Sequence, residues 1–505
     1  MEAPEAMKLE TMVMATIDQP RNIRRDDDFD IQNSIKFSVP KAILYHTTIL
    51  VPDGSPSGDC CVSKRTDGSI ASMITIDDIL KAHSAIQDLV HRTPVLSSES
   101  IGRMARCRLF LKAENLQRTG SFKVRGAFNK MSNLSPEARS KGVVAASAGN
   151  HAQGVALAAS RLGVRATIVM PEMASLAKVE ATKGYGAKVI LHGDNFDQAV
   201  SKARELEYNE GLTLIPAFDD PHVIAGQGTL GLEVLEQVTE ADVILVPVGG
   251  GGLISGVALA VKALRPSVRI IGVQASAATA ALRSYTERRV MSVTPHNTLA
   301  DGIAVGAPGQ LTLPMMLKLV DDMVEVSEEE ISQAMVLLLE RTKLLVEGAG
   351  ATPLAALLSG KVSCQGQTVV AVLSGGNIDV GLLDRVVEHG LTTAGRYLII
   401  RVKMDDRPGR LAHLLDHIAA IKVNVLEVEH HRTGLPLPVG QVEVQLTLET
   451  KTSEHGEEIC KRLRSAGYME TGTEAYGLER KPKEDLARAS SITSKGLVRY
   501  FTNIE

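Results

Sequence analysis

This sequence predicts an α/β fold in two lobes, followed by a smaller unit of different architecture. Short β-rich runs alternate with helical patterns from residue 75 to about 390, which implies parallel sheets covered on both faces by helices. That stretch is roughly 320 residues, too long for one small sheet, so two lobes with a cleft are expected. Beyond residue 396 the order changes to strand, helix, two strands, helix and strand, a βαββαβ unit of ferredoxin-like type.

Order is expected to begin at Thr75, which can cap a helix whose positive end suits Asp77 and Asp78. Ile76, Ile79, Leu80, His83, Ile86 and Val90 then follow at helical spacing. Strands are expected at 109–112, 143–146, 166–170, 188–191, 243–246, 269–273, 323–326 and 368–373. Helical patterns fill most gaps, at 151–162, 174–183, 196–209, 253–264, 328–345 and 352–358, and a helix-like run follows Lys123 to Leu134. Residues 390–395 read as a hinge. The last unit is expected as strand 397–402, helix 410–421, strands 423–429 and 441–448, helix 454–466 and a short strand near 470–476. The domains are therefore expected at 73–390 and 396–478, between a disordered N-terminal extension (1–72) and a charged, Ser-rich tail (479–505).

Composition narrows the function. A net charge of −4 with no basic run gives no electrostatic case for nucleic acid or an anionic membrane. The absence of Trp and an aromatic content of 3% argue against base stacking. Residues 243–261 carry no charge and are long enough to span a bilayer, but Pro247 and four glycines make them strand, tight turn and buried helix. Five cysteines, an odd count without metal-type spacing, fit free thiols in a reducing compartment. The acidic residues Glu2, Glu5, Glu10 and Asp18 do not suit a transit peptide, so a cytoplasmic location is expected, with a mitochondrial one left open.

Four segments carry the chemistry, each expected to end an apolar β-run with a polar or Gly-rich turn. Lys123 sits in the Gly-flanked segment from Arg118 to Ala127, and a desolvated lysine loses its proton and can form a Schiff base. Ser147, Ala148, Gly149, Asn150 and His151 open a helix with successive N–H groups that suit a carboxylate. Gly249, Gly250, Gly251 and Gly252, followed by Leu253, let bare N–H groups surround a phosphate. Ser374, Gly375, Gly376 and Asn377 follow the last apolar strand and supply a hydroxyl. A further match to the dinucleotide pattern G-x-G-x-x-G, at 226–231, follows the helix-start signature Asp219 to His222 with no clear strand leading into it; its glycines read as packing.

On these four segments, in this order, the chain resembles the threonine/serine dehydratase group of fold-type II pyridoxal-phosphate enzymes, the tryptophan synthase β-like fold. The resemblance implies that Lys123 holds pyridoxal 5'-phosphate, with its phosphate at Gly249 to Leu253, its ring hydroxyl at Asn150, its pyridine nitrogen at Ser374 and its ring against Phe122. It implies a substrate-carboxylate loop of Ser147, Ala148, Gly149, Asn150 and His151, with Lys123, Ser147 and Ala148 nearest the reaction. The implied reaction is loss of water from L-threonine or L-serine, giving a 2-oxo acid and ammonia. Serine racemase is the nearest alternative; that group's serine is replaced here by Ala148, and its metal carboxylates by Gln274 and Ala280, so no dedicated metal is expected.

The C-terminal unit resembles an ACT domain, with Asp405 to Leu411 at its first strand-to-helix turn. That implies either an amino-acid effector site serving feedback control or a plain module for a homodimer or homotetramer. A single such unit leans toward threonine catabolism, against isoleucine biosynthesis. A catalytically weak amino-acid sensor on the same scaffold is the alternative of a different class.

Overall fold

The computed structural model describes residues 74–432, 437–468 and 475–476. The extension at 1–72, with Cys60 and Cys61, and the tail at 479–505 lie outside the described residues. The first helix, α1 (Ile76–Ile86), starts where its cap predicts: the Thr75 N–H donates to Asp78 Oδ2 at 2.9 Å, closing a capping box.

The larger sheet has six strands in the order β1-β2-β10-β7-β8-β9. These are β1 (Val95–Ser97), β2 (Arg108–Ala113), β7 (Val243–Pro247), β8 (Arg269–Ala275), β9 (Asp322–Val326) and β10 (Thr368–Leu373). All neighbours are parallel except β1, an antiparallel edge strand that the expectation of purely parallel sheets missed; three residues are too few to show a period. Strands β7 and β10 are buried at every position, as covering on both faces demands. On one face Val243 and Leu245 meet α12 (Glu328–Thr342) and α13 (Gly348–Leu358). On the other, Ile244 and Val246 meet α8 (Pro221–Gln237), α9 (Gly252–Leu264) and α11 (Thr312–Leu319). Helices α2 (Glu99–Ala105) and α10 (Ala280–Glu287) complete the layers.

The smaller sheet is parallel, in the order β5-β4-β3-β6, from β3 (Val143–Ala146), β4 (Ala166–Met170), β5 (Lys188–Leu191) and β6 (Thr213–Leu214). Helices α3 (Lys123–Ser132) and α5 (Asn150–Leu162) cover one face and α7 (Phe196–Glu210) the other, with α4 (Pro136–Lys141) and α6 (Leu176–Gly184) at the periphery. The G-x-G-x-x-G glycines lie inside α8. A Cβ on Gly226 would stand 2.6 Å from the Arg125 carbonyl oxygen, and one on Gly228 2.6 Å from Ile79 Cδ1, so these glycines let α8 press against α3 and α1.

The expected hinge at 390–395 is mostly helix, because α14 (Val380–Thr393) runs through it and Gly390 packs its bare Cα against Val336. The chain turns only at Gly395, at φ +66°. The C-terminal unit then forms β11 (Tyr397–Asp405), α15 (Arg410–Ala420), β12 (Val425–His431), β13 (Gln441–Glu449), α16 (Ser453–Ser465) and β14 (Ala475–Tyr476). Its sheet is antiparallel in the order β12-β13-β11-β14, the ferredoxin-like arrangement. Alternate residues of β11 (Leu398, Ile400, Val402) face its two helices. Arg396 pairs with Glu340 of α12, and the Thr450 N–H donates to the Arg396 carbonyl at 2.7 Å.

Candidate active site

The lysine turn is built by contacts from the far end of the fold. A 3-10 turn at Arg118–Gly120 places Thr119 in the left-handed region at φ 62°, which a β-branched residue adopts only under constraint. The constraint comes from β10 and the turn that follows it. Ser121 bridges to Gly375, the Phe122 N–H donates to the Ser374 carbonyl at 3.1 Å, the Gly376 N–H donates to the Gly120 carbonyl at 2.9 Å, and Asn377 Nδ2 donates to the Thr119 carbonyl at 2.7 Å. Two of the sequence-read segments, around Lys123 and around Ser374, are thus stitched together.

Lys123 opens α3, and its Nζ donates to the Ala217 carbonyl at 3.1 Å and lies 5.3 Å from the centre of the Phe122 ring. Burial pulls its pKa down to about 8, against the opposing pull of the Glu347 charge. The amine is therefore partly free near neutral pH.

The tetraglycine turn reaches the same cleft through the residue after Ala217. A Cβ on Gly250 would stand 2.5 Å from the Phe218 ring and one on Gly252 2.9 Å from Phe218 Cβ, so the bare backbone is what lets Phe218 lie there. Gly251 caps α9 at φ +95°. Among the described residues the N–H groups of Gly249, Gly250 and Gly251 have no acceptor, and Gly252 and Leu253 open the helix with theirs unpaired. The Leu253 side chain packs into the core behind the turn, leaving only its backbone to serve.

The third segment follows β3. The Gly149 N–H donates to Ser147 Oγ at 3.2 Å, while the N–H groups of Ala148, Asn150 and His151 have no acceptor among the described residues. Ala148 rests partly on the small-lobe core. His151 is buried, and its Nε2–H donates to the Ile215 carbonyl at 2.8 Å. Burial first, and the Lys123 charge second, push its pKa down to about 3, so the ring is neutral. Ser374 is buried at the carboxyl end of β10, beside the lysine turn.

One site residue escaped sequence reasoning. Glu347 caps α13, is buried, and accepts from Asn150 Nδ2 at 2.7 Å. Burial and then the Asp301 charge push its pKa up to about 7. Its signal was its isolation, since it is the only charged residue between Lys343 and Lys361. Gln274 spends its amide on structure, donating to the Val248 carbonyl at 3.0 Å and accepting from the Leu282 N–H at 2.7 Å. A separate groove of about 740 Å³, lined by Arg103, Arg106 and Arg108, lies at the opposite, amino end of β2.

This donor set fits pyridoxal phosphate: unpaired N–H groups at a helix start for the phosphate, a partly free amine for the aldehyde, and a hydroxyl and an amide for the ring. The comparisons agree. Residues 86–375 match the family model described as pyridoxal-phosphate dependent enzyme. The chain is 48% identical over 396 residues to the L-threonine ammonia-lyase of Thermotoga maritima, covering 78% of this chain and 98% of that one. Among solved structures, maize serine racemase is 41% identical with a TM-score of 0.60, covering 63% of this chain and 98% of that chain. The processed form of a threonine deaminase from Solanum lycopersicum is 38% identical with a TM-score of 0.59, covering 67% and 99%. With strands, turns, donor set and relatives in agreement, this chain belongs to the family of pyridoxal-phosphate-dependent enzymes.

Proposed function

We propose that the chain is a threonine ammonia-lyase, removing water from L-threonine, and from L-serine, to release 2-oxobutanoate or pyruvate and ammonia. The observation that carries this reading is the Lys123 amine, desolvated to a pKa of about 8 and held by a single carbonyl at the meeting point of the four sequence-read turns. The Thermotoga relative, aligned over nearly its whole length, supports the substrate. When bound, pyridoxal phosphate holds the amino acid covalently and withdraws electrons from its Cα.

The chain's own residues do the rest. Lys123 takes the Cα proton. The free N–H groups of Ala148, Asn150 and His151, with Ser147 and Gly149 shaping the loop, bind the substrate carboxylate. Those of Gly249 to Leu253, which have no acceptor among the described residues, would hold the cofactor's phosphate. Asn150 would hold the cofactor's ring hydroxyl and Ser374 its pyridine nitrogen, and Phe122 would pack against the ring. A neutral hydroxyl such as that of Ser374 would not protonate the cofactor's nitrogen, a chemistry that favours loss of the β-hydroxyl over transamination. Ala148 has no proton to deliver to the opposite face of Cα, which disfavours racemisation.

We read residues 396–478 as an ACT-like regulatory domain on a 73–390 catalytic domain, within a cytoplasmic homodimer or homotetramer. The ferredoxin-like sheet order supports this reading, and an amino acid is the effector class it suits. A steady-state assay of 2-oxo acid release from L-threonine and L-serine, with and without isoleucine, tests the whole. Turnover of both substrates is expected. Ligand-dependent assembly without 2-oxo acid release would favour the sensor, and appreciable D-serine from L-serine would favour the racemase.

A further inference from the structure

Asn150 is held at both ends of its amide. Its Oδ1 accepts from Asn377 Nδ2 at 2.6 Å, and its Nδ2 donates to Glu347 Oε1 at 2.7 Å. Turned over, the amide would set Nδ2 against Nδ2 and Oδ1 against a carboxylate, so the network permits one orientation and leaves a single N–H of Asn150 uncommitted. Asn377 also donates to the strained Thr119, tying the same network to the lysine turn. The Glu347 backbone joins too, its N–H donating to the Gly375 carbonyl at 3.1 Å. Space around the carboxylate is tight, since a Cβ on Gly375 would stand 2.4 Å from Glu347 Oε1.

We propose that Glu347, together with Asn377, is a positioning residue that fixes the Asn150 amide toward the cofactor ring. This rests on the reading of the site as a pyridoxal-phosphate site and deepens it. The orientation depends on Glu347 being an acceptor, and its carboxyl loses its proton only near pH 7. The charged groups bearing on it are Asp301 from the 3-10 turn Asp301–Ile303, Lys178 from α6, which pairs with Asp301 at 3.0 Å, and Lys123 from α3. Below pH 7 a protonated Glu347 still accepts from Asn150 through its carbonyl oxygen but no longer as an anion, so its hold on the amide weakens and the environment of the ring changes.

The test follows cofactor absorbance against pH in the full-length holoprotein, with cofactor affinity and melting temperature as parallel readouts. Wild type is expected to show a spectral transition near pH 7 that Glu347→Gln, which still accepts from Asn150, removes while keeping cofactor affinity within about threefold. Glu347→Ala and Asn377→Ala are expected to weaken cofactor binding about 10- to 100-fold, as loss of a positioning contact does. In an Asn150→Ala background, Glu347→Gln is expected to add nothing further. A transition unchanged in Glu347→Gln, or an undiminished effect of that change without Asn150, would overturn the positioning role alone. Wild-type protein that binds no pyridoxal phosphate would overturn the underlying reading as well.

Discussion

Two lysines, one fully buried and one half-buried, eleven positions apart in the chain, have opposite fates. Lys112 is fully buried and all three of its donors are taken, by the Thr93 carbonyl at 2.9 Å, Gln237 Oε1 at 2.8 Å and Glu233 Oε2 at 2.5 Å. Glu233 also pairs with Arg125, which pairs in turn with Glu114, so the cluster is a closed set of charges. Lys123 has one neutral acceptor and no carboxylate in contact. Burial draws both pKa values down, but at Lys112 Glu114 and Glu233 pull back at close range, whereas at Lys123 only the Glu347 charge opposes. A dry environment does not by itself make a lysine reactive; the absence of a close counter-ion does.

The largest effect separating the two is expected from deletion. Lys123→Ala should lower turnover by about a thousandfold or more and remove the lysine-linked cofactor absorbance with little change in melting temperature. Lys112→Met should do the reverse, lowering the melting temperature while the absorbance persists; a spectrum lost in Lys112→Met would end the contrast. Next comes Arg125→Ala, which leaves buried Glu114 without its cation and Glu233 with Lys112 alone, and should cost about 3–5 kcal/mol in denaturant unfolding.

A pH experiment sharpens the comparison at Lys123 itself. A depressed lysine pKa means that the reactive free amine gains population as pH rises, so cofactor uptake by the apoprotein should accelerate through a midpoint near 8. Glu347 holds that value up, and Glu347→Gln should therefore move the midpoint to lower pH. The smallest effect is expected at the junction with the C-terminal unit. Arg396 and Glu340 are both substantially exposed, so Arg396→Ala should cost less than about 1 kcal/mol.

Lys123 was legible as a candidate because its turn and the other three lie beside strands or helices with clear periods. Buried strands such as β7 and β10 are apolar throughout, and the turns after them stand out by contrast. Ala217 and Phe218, which join Lys123 to the tetraglycine turn, lie in an irregular segment where no period marks a position. Asn377 sat in a recognised motif, but its two partners are 227 and 258 residues away, and nothing local names them. Glu347 reads locally as an acid at a helix start, an ordinary place for one. Only the fold shows that it faces Asn150. The edge strands β1 and β6 were missed because two or three residues carry no alternation.

The seating of β10 between β2 and β7 also governs how this molecule is made. During synthesis β2 waits for a neighbour that begins 255 residues later, at Thr368 after Ala113, roughly 13–50 s at ordinary elongation rates. Until then the strand-forming edges of β2 and β7 are both open, and the lysine turn has no Ser374 or Asn377 to hold it. A nascent chain halted before residue 368 therefore exposes two strand edges and lacks the contacts that hold the lysine turn, so the site cannot assemble until the Ser374–Asn377 turn has been made.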